Sequence, residues 1–241
     1  MIEETNTLKT TLSWQQGVIA ALPIAAGYIP IAIAFGLTAN AAQVPLVIAQ
    51  GMSLMVFAGA SQFMAIQMIM AGAGSIQIIM ATFILNLRHL LMSASLAERI
   101  EAKTSLGKRA LIAFGITDES FAVATLRPEQ LSTGFVISVN LVAFIAWNLG
   151  TAVGLLVASG LPEAVRQSLG IALYAMFIGL LIPAGMKWRP GLVIAGLAAV
   201  INSFFLWIPV LKELGTSWGI IIATIMAAGL GTCLPSDKEV A

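Results

Sequence analysis

The chain has 241 residues, of which 59% are hydrophobic and 10% are charged, with a net charge of +1 and a mean hydropathy of +0.97. A soluble fold is excluded, because soluble domains carry about 25% charged residues and cannot hide this much apolar surface from water. The scattered basic residues argue against nucleic-acid binding, and a single cysteine, Cys233, excludes a disulfide framework and a cysteine-based metal site. The composition predicts an all-α polytopic membrane protein that forms one integral membrane domain over residues 1–241.

Seven apolar runs are long enough to cross a bilayer as helices, which takes about 20 residues. They lie near 17–39, 44–71, 75–97, 133–157, 165–186, 191–209 and 217–234. An eighth run, 111–125, is shorter and carries two adjacent carboxylates, which predicts a re-entrant or short helix buried in protein.

The basic residues other than Arg88 favour seven spans, with the N-terminus outside and the C-terminus in the cytoplasm. In that arrangement, eight Lys and Arg residues fall on the cytoplasmic side and three on the other. An eighth span over 111–125 would divide them six against five, which is a weaker asymmetry.

A faint internal repeat relates the two halves of the chain, since Phe35-Gly36-Leu37 resembles Val153-Gly154-Leu155. The repeat predicts a first unit over about 13–97, a linker with the re-entrant segment over 98–132, a second unit over about 133–209 and a final span at 217–234. Each unit would hold three spans. Because three is odd, the two units are expected to be inverted in the membrane, as in many transporters.

Pro23 and Pro30 interrupt the first apolar run, with Gly27 between them. Proline removes a helical hydrogen bond, so this run is expected to carry either a simple kink or a broken helix whose end presents backbone groups to a substrate. Trp147 lies in the middle of its own run and is expected either to pack or to line a cavity.

Small residues dominate the stretch Phe57-Ala58-Gly59-Ala60-Ser61-Gln62-Phe63. In one interpretation the stretch is a packing seam in which Gln62 bonds across helices. In the other it is unwound, so that its backbone, at Gly59, and the Gln62 amide bind a zwitterionic substrate. The second interpretation makes Gly59 and Gln62 candidate substrate ligands.

The polar residues Asn86, Arg88 and His89 lie inside an apolar run that has no other ionisable residue. A guanidinium at the bilayer centre costs between about 2.5 and 17 kcal/mol, so it usually faces a polar cavity, an opposite charge or a substrate path. Asn86 and Arg88 are therefore candidate substrate ligands, and His89 is a candidate proton carrier. The structural alternatives are snorkelling or an ion pair for Arg88 and a helix–helix hydrogen bond for His89. A metal site is not expected, because no second histidine exists.

Asp118 and Glu119 follow Thr117 in the middle of the eighth run. Thr117 or Asp118 could cap a helix that begins there, since acidic side chains complement a helix N-terminus. Alternatively, one carboxylate pairs with Arg88 and carries a coupling proton, which makes Asp118 and Glu119 candidate proton-coupling residues. Enzyme catalysis and an ATP-driven mechanism are not expected, because no metalloprotease motif, nucleophile pattern or phosphate-binding glycine loop stands out.

Three motifs together resemble the AzlC/YgaZ family of branched-chain amino acid exporters: Phe57 to Phe63, Leu85-Asn86-Leu87-Arg88-His89 and Thr117-Asp118-Glu119-Ser120-Phe121. Their order and spacing also fit the family, and the resemblance covers nearly the whole chain. It implies a large subunit in the bacterial cytoplasmic (inner) membrane that works with a small AzlD/YgaH-type membrane protein. The implied substrates are leucine, isoleucine, valine and sometimes methionine.

These features predict a secondary exporter of neutral branched-chain amino acids that is driven by a proton gradient and works by alternating access. Gln62, Asn86 and Arg88 would bind the amino and carboxyl groups of the substrate. His89 or one of the two carboxylates would take the proton, and no cofactor is expected. The alternative is a non-transporting membrane scaffold or assembly subunit, in which the same polar residues only join helices.

Overall fold

The computed structural model describes residues 12–127, 131–160, 189–208 and 216–233, together with the single positions 162, 178, 182 and 186. The helices with described bounds are α1 (Trp14–Ala41), α2 (Leu46–Met55), α3 (Gly59–Met70), α4 (Ser75–Ala97), α5 (Leu106–Gly115), α6 (Asp118–Thr125), α7 (Thr133–Val157), α8 (Arg189–Trp207) and α9 (Thr216–Gly231). In these parts of the chain, the only strand-like pairing is an isolated bridge between Ile100 and Leu131. The described fold is all-helical, as predicted.

Three helices, α1, α4 and α7, are long and apolar enough to cross a membrane, with 28, 23 and 25 residues. They coincide with three of the predicted runs. Helices α8 and α9 coincide with the last two predicted runs, although their apolar parts are shorter. The predicted span 165–186 lies outside the described residues, apart from three isolated positions.

Helices α1 and α7 run parallel and form the centre of the fold. At their N-terminal ends, Ser132 donates its hydroxyl to the carbonyl of Leu12. Towards their C-terminal ends, Gly36 lies so close to α7 that a Cβ atom there would be 2.5 Å from the carbonyl oxygen of Thr151. Only a residue without a side chain permits this approach, which explains the glycine.

The prediction of a crossing span over 44–71 is wrong, because this run folds as two short helices, α2 and α3. After α2, which follows the C-terminal end of α1, the ring of Phe57 lies 5.1 Å from that of Phe144 near the middle of α7. Helix α3 then leads back, with the ring of Phe63 5.4 Å from that of Phe35 in the C-terminal part of α1. The two helices form a re-entrant hairpin with its tip near the middle of α7.

A second hairpin, α5 and α6, enters from the opposite end. Helix α5 begins beside the first residue of α7, where the hydroxyls of Thr104 and Thr133 are 2.6 Å apart. Helix α6 ends beside the end of α4, where the Arg99 guanidinium donates to the carbonyl of Thr125 at 3.2 Å. The chain therefore enters and returns at one end of α7, as the re-entrant interpretation of 111–125 predicted, but it does so as two helices broken at residues 116–117 and not as one helix.

The tips of the two hairpins, residues 56–58 and 116–117, meet near the middle of α7. The rings of Phe57 and Phe114 are 6.5 Å apart across this junction. Opposed half-helices of this kind are how many transporters bring helix ends to the bilayer centre. Helix α1, in contrast, is continuous through Pro23 and Pro30, so no helix end lies at the prolines.

The inverted relation predicted between units 13–97 and 133–209 is wrong for their first helices, because α1 and α7 are parallel. The first unit holds two candidate spans, α1 and α4, and two crossings would return the chain to its starting side. The start of α1 and the segment 98–132 therefore lie at the same end of the helices, where Ser132 bonds to Leu12. The sequence had predicted them on opposite sides of the membrane. The repeat glycines, Gly36 and Gly154, do meet at the α1–α7 interface. The predicted seven spans are not confirmed, because the second run does not form one long helix. The division into two units, a linker and a final span stays a prediction.

Candidate functional site

A cavity of about 330 Å³ opens where the two hairpin tips meet. Its volume falls within the range of small-molecule pockets, which is roughly 300–1,000 Å³. Its lining residues are Tyr28 and Ile31 of α1, Phe57, Ala58, Gly59 and Ala60 of the first hairpin, Leu85, Arg88 and His89 of α4, Thr117, Asp118 and Glu119 of the second hairpin, and Trp147 of α7. Ionisable side chains from α4 and α6 thus share one cavity with aliphatic and aromatic walls.

Arg88 and Asp118 form an ion pair in this cavity, with 2.5 Å between Nη1 and Oδ2. The pair joins the middle of α4 to the first residue of α6. The Nε atom of Arg88 is buried and has no hydrogen-bond partner among the described residues. Arg88 is therefore paired with an acid, as one interpretation of the sequence predicted, while its Nε donor has no partner among the described residues.

Glu119 bonds to a different helix. Its Oε2 atom accepts a hydrogen bond of 2.5 Å from the hydroxyl of Tyr28, which is only 7% exposed. Consecutive residues on a helix project about 100° apart, so Asp118 can reach α4 while Glu119 reaches α1. The two carboxylates at the start of α6 hold this short helix between α1 and α4, both long and apolar enough to cross a membrane.

The two helices that begin at the tips differ at their N-termini. Helix α6 is capped, since the Thr117 amide donates to Ser120 Oγ at 2.9 Å and the Ser120 amide donates to Thr117 Oγ1 at 3.3 Å. Helix α3 begins after Ala58 without a side-chain cap, and among the described residues the amides of Gly59 and Ala60 have no hydrogen-bond partner. The free amides and the helix dipole make the start of α3 electropositive, whereas α6 begins with two carboxylates.

Gln62 and Asn86 lie behind the cavity wall and not on it. Gln62 is 1% exposed and accepts a hydrogen bond of 3.1 Å from the indole of Trp147. Asn86 accepts one of 2.6 Å from the hydroxyl of Ser61, which joins α4 to α3. Five of the seven predicted site residues line the cavity: Gly59, Arg88, His89, Asp118 and Glu119.

Comparison with known proteins identifies the family. The AzlC protein family matches residues 23–161, and this region contains every residue that lines the cavity. The chain belongs to the AzlC family. The resemblance inferred from the three sequence motifs is thereby confirmed.

Relatives in this family extend over most of the chain. The inner membrane protein YgaZ of Escherichia coli is 32% identical, over 89% of this chain and 91% of that protein. An uncharacterized membrane protein of Archaeoglobus fulgidus is 34% identical, over 74% of this chain and 78% of its own length. The branched-chain amino acid transport protein AzlC of Bacillus subtilis is 28% identical, over 69% of this chain and 65% of that protein. No solved structure matches. The chain is a membrane protein, as predicted.

Tyr28 and Phe57 line this AzlC-family cavity but were not among the predicted site residues. Tyr28 offers a usable indication, because a buried tyrosine hydroxyl in the middle of a span needs a partner. For Phe57 the sequence gives no such indication. In the structure, Phe57 adopts a left-handed backbone conformation, with φ at +46°, which is rare for a bulky residue. Strain of this kind is concentrated at functional sites, and here it forms the turn between α2 and α3.

Proposed function

We propose that this chain exports branched-chain amino acids across the bacterial cytoplasmic membrane in exchange for protons, together with a small AzlD/YgaH-type membrane subunit. The observation that carries the proposal is the cavity between the hairpin tips, because it combines both signs of charge with apolar walls. Membership of the AzlC family supports transport, and the name of the Bacillus subtilis relative supports the substrate class. The proposal involves no enzymatic step.

The zwitterion of an amino acid matches the charges of this cavity. Its carboxylate would accept hydrogen bonds from the free amides of Gly59 and Ala60 at the start of α3 and from the guanidinium of Arg88, which lines the cavity. Its ammonium group would lie against Asp118 and Glu119 at the start of α6. When both carboxylates are ionised, the cavity holds two negative charges and one positive charge, so it favours a ligand that brings a cation with its anion.

Gln62 and Asn86, the other predicted ligands, would act on the substrate indirectly. Asn86 holds the first turn of α3 through Ser61, and Gln62 holds α3 against α7 through Trp147. Both bonds fix the position of the free amides at the start of α3. A site whose binding groups are fixed by neighbouring side chains binds without first having to be ordered.

Proton exchange follows from competition for the same carboxylates. A proton that neutralises Asp118 or Glu119 leaves the cavity with one negative and one positive charge and removes the attraction for the substrate ammonium group. Proton binding would therefore favour release of the amino acid, and substrate binding would favour release of the proton. His89, in the same cavity, is the third candidate carrier.

The basic residues orient this arrangement in the membrane. The segment 98–132 carries five Lys and Arg residues, whereas the loops 42–45 and 71–74 carry none. The positive-inside rule therefore places 98–132, and with it the start of α1, in the cytoplasm. The first hairpin would enter from the external side and the second from the cytoplasmic side, so that movement of either one would open the cavity to a different side.

Transport by inverted membrane vesicles tests the proposal. Vesicles carrying the full chain, with and without the small subunit, receive labelled leucine outside and an acidic interior. Proton exchange is expected to accumulate leucine inside, and a protonophore is expected to abolish the accumulation. Accumulation that persists with the protonophore would disprove proton coupling but not export. If the chain is present in the membrane but leucine moves under no condition, export is refuted. The alternative function, a non-transporting scaffold, is then favoured.

A further inference from the structure

Trp147 is the largest side chain of the cavity wall, and its neighbours hold it on several sides. Its indole N–H donates to Oε1 of Gln62 at 3.1 Å. Its ring lies edge-on to Tyr28, with centroids 5.4 Å apart, and stacks on Phe35 at 6.4 Å. The residue is only 4% exposed. A side chain fixed in this way cannot move aside for a ligand without losing several contacts.

A chain of hydrogen bonds fixes Gln62 in turn. Nε2 of Gln62 donates to the hydroxyl of Ser53 at 2.8 Å, and Ser53 shares a hydrogen bond of 2.8 Å with Thr151. Because an indole N–H can only donate, the oxygen of the Gln62 amide must face Trp147. The amide is therefore engaged at both ends inside the protein, which leaves Gln62 a supporting role.

The indole also meets the place where the substrate carboxylate is proposed to bind. A Cβ atom on Gly59 would lie 2.6 Å from Cη2 of Trp147, so the ring packs directly on the start of α3. A substrate whose carboxylate is held at Gly59 would extend its side chain along this wall. Glycine at position 59 is the residue that lets the indole approach this closely.

We propose that Trp147 is the specificity-determining residue of the cavity: its fixed indole sets the largest side chain that a substrate can carry, and Gln62 is its positioning residue. The inference rests on the proposed export of amino acids and assigns the basis of its selectivity. Apolar pockets separate ligands that differ by one methylene by about 10–200-fold, so a rigid wall should reject an aromatic ring strongly.

The unaltered chain provides the first test. Unlabelled valine, leucine, phenylalanine and tryptophan compete with labelled leucine for export in the inverted vesicles. A fixed wall predicts that phenylalanine and tryptophan compete at least about ten-fold more weakly than leucine. Equal competition by tryptophan would overturn the proposal, and this outcome is available even if a variant fails to fold.

Trp147→Phe and Trp147→Leu provide the second test, because both enlarge the cavity. The ratio of phenylalanine to leucine export is expected to rise about ten-fold or more in both variants. Trp207→Phe, the same substitution at a residue of α8 that is 84% exposed, is the matched control and should keep the original ratio. An unchanged ratio in Trp147 variants that still export leucine would overturn the proposal.

The role of Gln62 is tested by a double-mutant cycle. Gln62→Met removes the acceptor of the indole and is expected to raise the phenylalanine to leucine ratio, but to add nothing in the Trp147→Phe background, which has no indole N–H. An equal loss of leucine export in both backgrounds would show that Gln62 contacts the substrate itself. If the unaltered chain exports no amino acid at all, the export function fails. If it exports leucine without a size limit, only the assignment of Trp147 fails.

Discussion

Replacement of Arg88 by methionine separates a structural role from a binding role. The ion pair with Asp118 is short, at 2.5 Å, but the two side chains are 40% and 49% exposed. Where the cavity is filled with water, screening limits the contribution of such a pair to folding to about 0–1 kcal/mol. In a protein of this size, 1 kcal/mol corresponds to roughly 2–4 °C in Tm, so Arg88→Met is expected to lower Tm by no more than that.

The expected effect of Arg88→Met on transport is much larger. A hydrogen bond to a charged partner contributes about 1.5–3 kcal/mol, and its loss at the substrate carboxylate corresponds to about 10–150-fold in leucine export at low leucine concentration. Leucine export by Arg88→Lys should lie between that of the unaltered chain and that of Arg88→Met, because lysine keeps the charge but has no planar pair of donors. Export from loaded cells, normalised to the amount of protein in the membrane, measures the effect.

A charge reversal decides between the two roles. Arg88→Asp combined with Asp118→Arg restores an ion pair between α4 and α6 but moves the cation away from α4. If Arg88 binds the substrate, the double variant is expected to remain inactive although it accumulates normally. Full recovery of leucine export in the double variant would refute the binding role, and so would normal export by Arg88→Met.

Three further predictions follow from the same geometry. Tyr28→Phe removes a hydrogen bond within the membrane and should slow proton-driven leucine export about three- to fifteen-fold while sparing leucine–leucine exchange; equal slowing of both would contradict a role in coupling. Gly36→Ala places a Cβ 2.5 Å from a carbonyl of α7 and should lower Tm in detergent, whereas the control Gly27→Ala has open space and should not; equal Tm values would disprove the close approach. Cysteines at Arg127 and Lys108, in a chain without its native cysteine, should both react from the cytoplasmic side, and labelling from opposite sides would show that the second hairpin crosses the membrane.

The crossing helices and the Arg88 ion pair could be predicted because each has a strong local cause. Helices α1, α4 and α7 come from predominantly apolar runs of more than 20 residues, which few structures other than a span accommodate. A guanidinium in such a run favours an opposite charge nearby, and Asp118 and Glu119 are the only acids inside any predicted apolar run. The orientation of α6 decides which of the two acids pairs with Arg88, and only the structure shows this orientation.

The first hairpin could not be predicted, because hydropathy measures how apolar a run is and not whether the run turns back. The turn at Phe57 is stabilised by rings far away in sequence, with Phe144 at 5.1 Å and Phe114 at 6.5 Å. For the same reason the partner of Gln62 was not predictable: the sequence shows an amide that needs a partner, but Trp147 lies 85 residues away. The wrong count of crossings over 44–71 then propagated to the inverted repeat and to the side of the N-terminus.

Helix α6 explains why binding and movement are coupled in the proposed mechanism. With eight residues, it is far shorter than the roughly 12–15 residues at which an isolated helix becomes marginally stable, so its position depends on its neighbours. Asp118 ties its first turn to Arg88 on α4, and Glu119 ties the same turn to Tyr28 on α1. A substrate ammonium group or a proton that takes either carboxylate necessarily weakens one of these ties. In this mechanism, the groups that would recognise the ligand also hold the second hairpin in place, so occupancy of the cavity and the position of the second hairpin would change together.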